Sequence, residues 1–398
     1  MEVTAPLLLD IGVVLLLAAG AGWVARRLGL PAVVGYLAVG LAVSPFTPGY
    51  VADRDQLRLL ADIGVVLLLF EVGIEVDILR IRREHRAVLL LAPLQVVATA
   101  AIAAVVLAAL GVSPFGAALV GLAVSLSSSV VVVNITRSRW RTTDPPTERA
   151  LLGWSVVQDM VGVALALVVL AVGGAAGRPL PVALAGLAAY AGLAVAVAWL
   201  VPHLLRQLRD DPDLFLVVSV AGGLTIAAVG GVAFGVPVGL AAFVGGLAVS
   251  EGPDTAEARR LIRPFRDVFA VAFFVSLGAL LDPAVAAAGL GFVGLLVALV
   301  IVAKSALAWG LTRAARLAAS PGHVAVGLGQ MGEFSFVLAS AALAAGAIPA
   351  ELFAAVLATV VLTIAGASVL ARALPRATSV AGPALMPGDP ATPGAASG

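Results

Sequence analysis

Four ionisable side chains, Glu71, Asp159, Lys304 and Glu333, stand inside runs that are otherwise almost wholly apolar. In Ala150–Val172, reading ALLGWSVVQDMVGVALALVVLAV, Asp159 is the only formally charged residue, and Gln158 precedes it. A carboxylate in hydrocarbon has neither water nor counter-charge, so it needs a cavity, a partner or a proton. Such residues mark ion or proton pathways; the bland alternative is a neutral Asp hydrogen-bonded inside a helix bundle. Lys304 is the one lysine beside 23 arginines. It lies about fifteen residues into its apolar run, near mid-membrane at roughly 1.5 Å per residue. Opposite charges buried at similar depth are best kept as a pair, so Lys304 is the expected charge partner of Asp159, with a permanent structural bridge as the alternative. A proton and a dehydrated monovalent cation competing for one carboxylate would give exchange without a separate gate. The other expected ligands are the hydroxyls of Ser127, Ser128 and Ser129, the Gln158 carbonyl and freed backbone carbonyls. Glu333 and Gln330 are expected to support a broken helix. Glu71 and Glu75 fit either an access funnel or simple snorkelling.

The elements that must hold these groups are membrane spans. The chain has 398 residues, 61% of them hydrophobic and 12% charged, which is the composition of an all-α polytopic membrane protein. It has no cysteine, which excludes disulfides and thiolate chemistry, and His85, His203 and His323 are too scattered to form a metal site. A net charge of +1, with basic residues in short clusters, does not point to nucleic acid. Thirteen spanning segments are predicted: 7–25, 31–47, 59–79, 87–110, 114–136, 149–172, 180–204, 214–232, 235–250, 267–283, 289–312, 323–345 and 351–371. Several contain Gly and Pro or fall short of about 20 residues, so kinked or interrupted helices are expected. Links after odd-numbered segments hold 20 arginines and the other links hold only Arg54, Arg58 and Arg178. This asymmetry puts the N-terminus outside and the C-terminus in the cytoplasm of a cell whose inner (plasma) membrane the chain crosses. The opening MEVTAPLLLDIG lacks a basic region and does not read as a cleavable signal. Residues 1–373 thus form a membrane transport domain, and 374–398, rich in Pro, Ala and Gly, a disordered cytoplasmic tail.

A repeat runs through the spans. Gly40–Ser44 and Gly246–Ser250 both read GLAVS at an offset of 206; Phe70, Gly73 and Asp77 match Phe274, Gly278 and Asp282 at 204 or 205; Val120-Gly-Leu122 matches Val326-Gly-Leu328 at 206. The halves lie an odd number of segments apart, so corresponding helices run in opposite directions, the inverted-topology repeat of secondary transporters. Segment 7 is the linker. The breaks are expected at Ser125–Ser129 and at the counterpart Gly329–Glu333, where freed carbonyls could face a cation beside Asp159.

Together GYLAVGLAVSP at Gly35–Pro45, LLLFEVGIEVD at Leu67–Asp77, SLSSSV at Ser125–Val130, LLGWSVVQD at Leu151–Asp159, FFVSLGALLD at Phe273–Asp282 and LGQMGEFSFVL at Leu328–Leu338 resemble the membrane domain of the monovalent cation:proton antiporter-2 family. The resemblance covers roughly residues 7–371. It implies a sodium/proton antiporter fold with two crossed discontinuous helices and a homodimer of thirteen-helix subunits. It also implies a dimerisation part made of segments 1–3 and 8–10 and a mobile core made of segments 4–6 and 11–13. By the same resemblance Asp159 falls on the ion-binding aspartate and Lys304 on the buried lysine of several members. Gln158 stands where electrogenic exchangers have a first aspartate, which implies electroneutral exchange, although Lys304 is also a feature of electrogenic members. With only a short tail after segment 13, no fused nucleotide-binding regulatory domain and no glutathione or NAD gating are expected.

The expected function is therefore antiport of Na+ or K+ against H+, with no enzymatic activity and no cofactor beyond the transported ions. A cation channel would need a continuous pore, and an organic-anion transporter of related fold would need an aromatic binding surface that is not evident. An intramembrane enzyme lacks its motifs: there is no HExxH and no serine–histidine pair within the spans. Cavity size and carbonyl geometry, which residue types do not encode, choose between Na+ and K+.

Overall fold

The structure is a computed structural model that describes residues 4–44, 46, 54–75, 87–137, 141–173, 180–208, 211–234, 236, 238–250, 255–279 and 282–376. The regular structure among them is helical throughout: α1 Thr4–Arg27, α2 Ala32–Ala42, α3 Arg54–Glu75, α4 Val88–Ala109, α5 Pro114–Ser125, α6 Ser129–Arg137, α7 Pro145–Gly173, α8 Leu180–Gln207 and α9 Pro212–Phe234. There follow α10 Val238–Ser250, α11 Thr255–Ala279, α12 Pro283–Ala288, α13 Leu290–Leu299, the π-helical turn π1 Val300–Ser305, α14 Ala306–Ala314, α15 Pro321–Leu328, α16 Phe334–Ala344 and α17 Ala350–Ala373. In hydrocarbon the backbone must satisfy its own hydrogen bonds, and Ala, Leu and Val runs do so as helices. Side chains and prolines set several starts. Pro114 opens α5 behind Ser113, whose Oγ accepts from the Gly116 N–H at 3.1 Å, and Pro283 opens α12 behind Asp282, which accepts from the Ala284 N–H at 2.8 Å.

Seven stretches among the described residues are long and apolar enough to cross a bilayer: Leu9–Arg27, Val88–Ala109, Pro114–Thr136, Pro145–Gly173, Asp213–Phe234, Leu290–Ala314 and Ala350–Ala373. That is fewer than thirteen. The remaining predicted segments appear as shorter apolar helices, Ala32–Ala42, Ala188–Val197, Val238–Leu247, Asp267–Ala279 and Phe334–Ala344, or as α3, whose first turns carry Arg54, Asp55 and Arg58. Asp77, His85 and the tail beyond residue 376 lie outside the described residues, as does the side chain of Glu75.

The helices pack in two groups. In one, α2 and α3 lie against α11, α3 also against α10 and α9, and α1 against α2. In the other, α4 lies against α5 and α7, α5 against α16, and α17 against α13, α15 and α16, while α8 touches α7 on one side and α9 and α10 on the other. The repeat explains the first group. A Cβ on Gly40 would stand 2.0 Å from the Val275 carbonyl oxygen, and one on Gly278 2.2 Å from that of Leu37. The matching pair repeats the crossing: a Cβ on Gly246 would stand 1.9 Å from the Phe70 oxygen, and one on Gly73 2.2 Å from that of Phe243. Gly40 and Gly73 in one half thus face the counterparts of each other, Gly278 and Gly246, at the crossings the repeat's offset implies.

Between the groups, aromatic rings meet edge to face: Phe243 of α10 with Phe334 of α16 at 5.5 Å, and Phe273 of α11 with Phe336 of α16 at 6.2 Å. α17 touches α2, and Arg372 at its end donates to the Leu28 carbonyl at 3.3 Å beside Gly29, whose φ of +79° suits glycine.

Candidate ion-binding site at the helix crossing

Both expected breaks are present. After α5 the chain is extended at Leu126, with ψ 140°, and resumes as α6 at Ser129; after α15 it leaves the helix at Gly329 and resumes as α16 at Phe334. A broken helix exposes unpaired carbonyls and N–H groups that lipid cannot satisfy, so each break satisfies the other. The Gly332 N–H donates to the Leu126 oxygen at 3.1 Å, and the Ser127 hydroxyl to the Leu328 oxygen at 2.9 Å. The Gln330 side chain bridges Ser128, accepting from its N–H at 3.0 Å and donating to its carbonyl at 3.2 Å. Ser128 caps α6, its Oγ accepting from the Val131 N–H at 3.4 Å, and Ser129 donates to Glu333 Oε1 at 3.4 Å. Gly332 is required here, since a Cβ would lie 2.6 Å from the Ser127 carbonyl carbon and 2.7 Å from the Ser128 nitrogen.

Lys304 reaches this crossing from π1. It is fully buried, and its Nζ donates to the Leu126 oxygen at 2.7 Å and the Gln330 oxygen at 2.6 Å. These carbonyls stand at the C-terminal ends of α5 and α15, where aligned peptide dipoles leave partial negative charge. One ammonium therefore neutralises both half-helix ends. The extra residue of the π turn aims Lys304 inward, and the Ser305 hydroxyl closes that turn onto the Val300 oxygen at 3.0 Å.

Gln158 and Asp159 come from α7 and are 0% and 2% exposed. One turn further, a Cβ on Gly162 would lie 2.3 Å from Leu126 Cδ2, so this face of α7 abuts the first break. The structure thus gathers Asp159, Gln158, Ser127, Ser128, Ser129, Lys304, Gln330 and Glu333 on helices that meet at one crossing. Glu71, also fully buried, belongs instead to α3 in the other helix group.

Two residues escaped the sequence reading. Gln95 of α4 accepts a short hydrogen bond from the Gln158 amide and donates to Thr99 Oγ1 at 3.0 Å; Thr99 donates to the Ala303 carbonyl at 3.2 Å. The signal was available, because Gln95 and Thr99 are polar residues four apart, on one helix face, within an apolar run. The buried role of His323 was missed as well. Thr142 spends its one proton on the Ala371 carbonyl at 2.7 Å, so it accepts from His323 Nε2–H at 3.0 Å, and Nδ1 then accepts from the Ser320 hydroxyl at 2.9 Å. This pins the start of α15 to the end of α17.

Known proteins share this architecture. Residues 13–374 match the family model described as the transmembrane sodium/hydrogen exchanger. The chain is 32% identical over 370 residues to the iron transporter MagA of Paramagnetospirillum magneticum, covering 92% of this chain and 85% of that protein. It is 32% identical over 363 residues to the putative cation/proton antiporter YbaL of Escherichia coli, covering 86% of this chain and 64% of that protein's length. Its fold resembles the sodium proton antiporter MjNhaP1 of Methanocaldococcus jannaschii with a TM-score of 0.71, at 18% identity over 94% of this chain and 97% of the other. A match over almost the whole chain, two relatives above 30% identity and a shared fold lead to one conclusion: the chain belongs to the transmembrane sodium/hydrogen exchanger family, of cation/proton antiporter type.

Proposed function

We propose that this protein exchanges a monovalent cation, Na+ or K+, for H+ by alternating access, with Asp159 as the group that a proton and the cation occupy in turn. The observation that carries this reading is the placement of a buried carboxylate beside two helix breaks whose ends converge. Gln158 Oε1, buried and without a donor among the described residues, is available as an uncharged oxygen ligand beside it. Ser127 and Ser128 chiefly hold the crossing, and Glu333 ties the two breaks through Ser129. One carboxylate with a neutral neighbour favours one-for-one, electroneutral exchange. A hard-oxygen site with one carboxylate suits an alkali cation better than iron, so the cargo named for MagA is not carried over.

Helices α1–α3 and α9–α11 would form the dimerisation part, α4–α7 and α12–α17 the moving core, and α8 the link, giving thirteen crossings with the C-terminus in the cytoplasm. The test is exchange in proteoliposomes: an imposed Na+ or K+ gradient, with internal pH followed with and without a voltage clamp. Asp159→Asn is expected to abolish cation-driven proton flux. Flux that survives the substitution refutes the assignment.

A further inference from the structure

Gln158 can offer a cation its oxygen only if its amide is held the right way round, and the structure contains a device that does so. The chain of bonds starts at the main-chain carbonyl of Ala303, which can only accept. Thr99 must therefore give it its single hydroxyl proton, at 3.2 Å. Thr99 Oγ1 can then only receive, so the group of Gln95 facing it at 3.0 Å is the NH2. That turns the Gln95 oxygen toward Gln158, whose own NH2 must meet it. What is left is Gln158 Oε1, on a residue 0% exposed, with no donor among the described residues. The usual ambiguity between amide oxygen and nitrogen is removed, because reversing either amide would set donor against donor or acceptor against acceptor. The anchoring carbonyl belongs to π1, next to Lys304, so one turn of helix orients both the lysine at the crossing and the amide beside Asp159.

We infer that Gln95 and Thr99 are positioning residues for transport: they fix the polarity of the Gln158 amide so that an oxygen, and never an NH2, is presented to the alkali cation at Asp159. The inference rests on the proposed role of Asp159. Without the relay the Gln158 amide is free to turn, and half of its orientations put a donor where the cation needs an acceptor.

The test compares wild type with Thr99→Val, Thr99→Ser, Gln95→Met and Asp159→Asn in proteoliposomes, using protein that is monodisperse after purification, and reads the apparent KM for Na+ and for K+ separately from the maximal rate. Thr99→Val and Gln95→Met are expected to raise the cation KM roughly five- to tenfold, the scale of one buried hydrogen bond, with the maximal rate changed less than about twofold. Thr99→Ser, which keeps the hydroxyl, is expected to stay near wild type. Wild-type cation KM in Thr99→Val or in Gln95→Met overturns the relay, as does a Thr99→Ser variant as impaired as Thr99→Val. Should one of the two disruptive variants not fold, the other carries the comparison. If Asp159→Asn is inactive while the relay variants behave as wild type, only the relay is wrong; if Asp159→Asn still exchanges, the site itself is wrong.

Discussion

The ammonium of Lys304 donates to the carbonyl oxygen of Leu126 at 2.7 Å, and that oxygen also accepts from the Gly332 N–H at 3.1 Å. Both lone pairs of one carbonyl are thus used to join the two broken helices to a third element, π1. The lysine behaves as a cation tethered at the meeting point of two helix ends. Lys304→Met leaves the Gln330 carbonyl without its charged donor and should cost on the order of 3 kcal/mol of stability, since hydrogen bonds to charged groups are worth about 1.5–3 kcal/mol each. The check is the thermal midpoint in detergent, which should fall by several degrees. A midpoint equal to wild type would mean that the ammonium does not hold the crossing.

The glycines at the backbone crossings should tolerate nothing larger. Gly246→Ala and Gly332→Ala would each bring a methyl carbon against main-chain atoms, at 1.9 Å and 2.6 Å, that no side-chain rotation can clear. Destabilisation of roughly 1–3 kcal/mol or failure to fold is expected for each. Gly310→Ala is the control: it sits in α14 with nothing within 4 Å, and the change should be neutral or stabilising by about 0.5–1 kcal/mol. Fluorescence-detected melting would separate the cases, and equal melting of all three variants would contradict the packing.

His323 is 4% exposed and joins the start of α15 to Thr142, which in turn holds Ala371 of α17. His323→Ala removes the acceptor of the Ser320 hydroxyl and the donor that Thr142 accepts from, both in part-buried positions, and a loss of about 1–3 kcal/mol is expected. Hydrogen exchange should quicken in residues 371–376 and 320–325 before it does so at the crossing. Unchanged protection at both stretches would show that the histidine is not the pin.

Much of the site was legible because it breaks rules that the rest of the chain obeys. Asp159 and Lys304 stood out as charges in hydrocarbon, Ser125–Ser129 and Gly329–Glu333 as helix-weakening clusters in mid-span, and the structure breaks α5–α6 and α15–α16 there. The repeat was legible too, since duplicated glycines keep their spacing, and Gly40, Gly73, Gly246 and Gly278 occur at the crossings the offset implies. The segment count was less so. The predicted spans included α2 and α10, helices of 11 and 13 residues, because apolar runs do not reveal where a helix stops.

The amino-acid order by itself determined that the chain is a bundle of apolar helices with a repeated glycine pattern, and that Asp159 and Lys304 are committed to its interior, because burial makes a charge too costly to be incidental. Only the tertiary structure decided what those groups touch. Lys304 meets main-chain carbonyls, which carry no mark in the sequence, and Thr99 meets Ala303, a residue 204 positions away whose side chain is a bare methyl. Contacts to backbone depend on where two helices are unwound and how they cross, and that is settled by packing between distant segments.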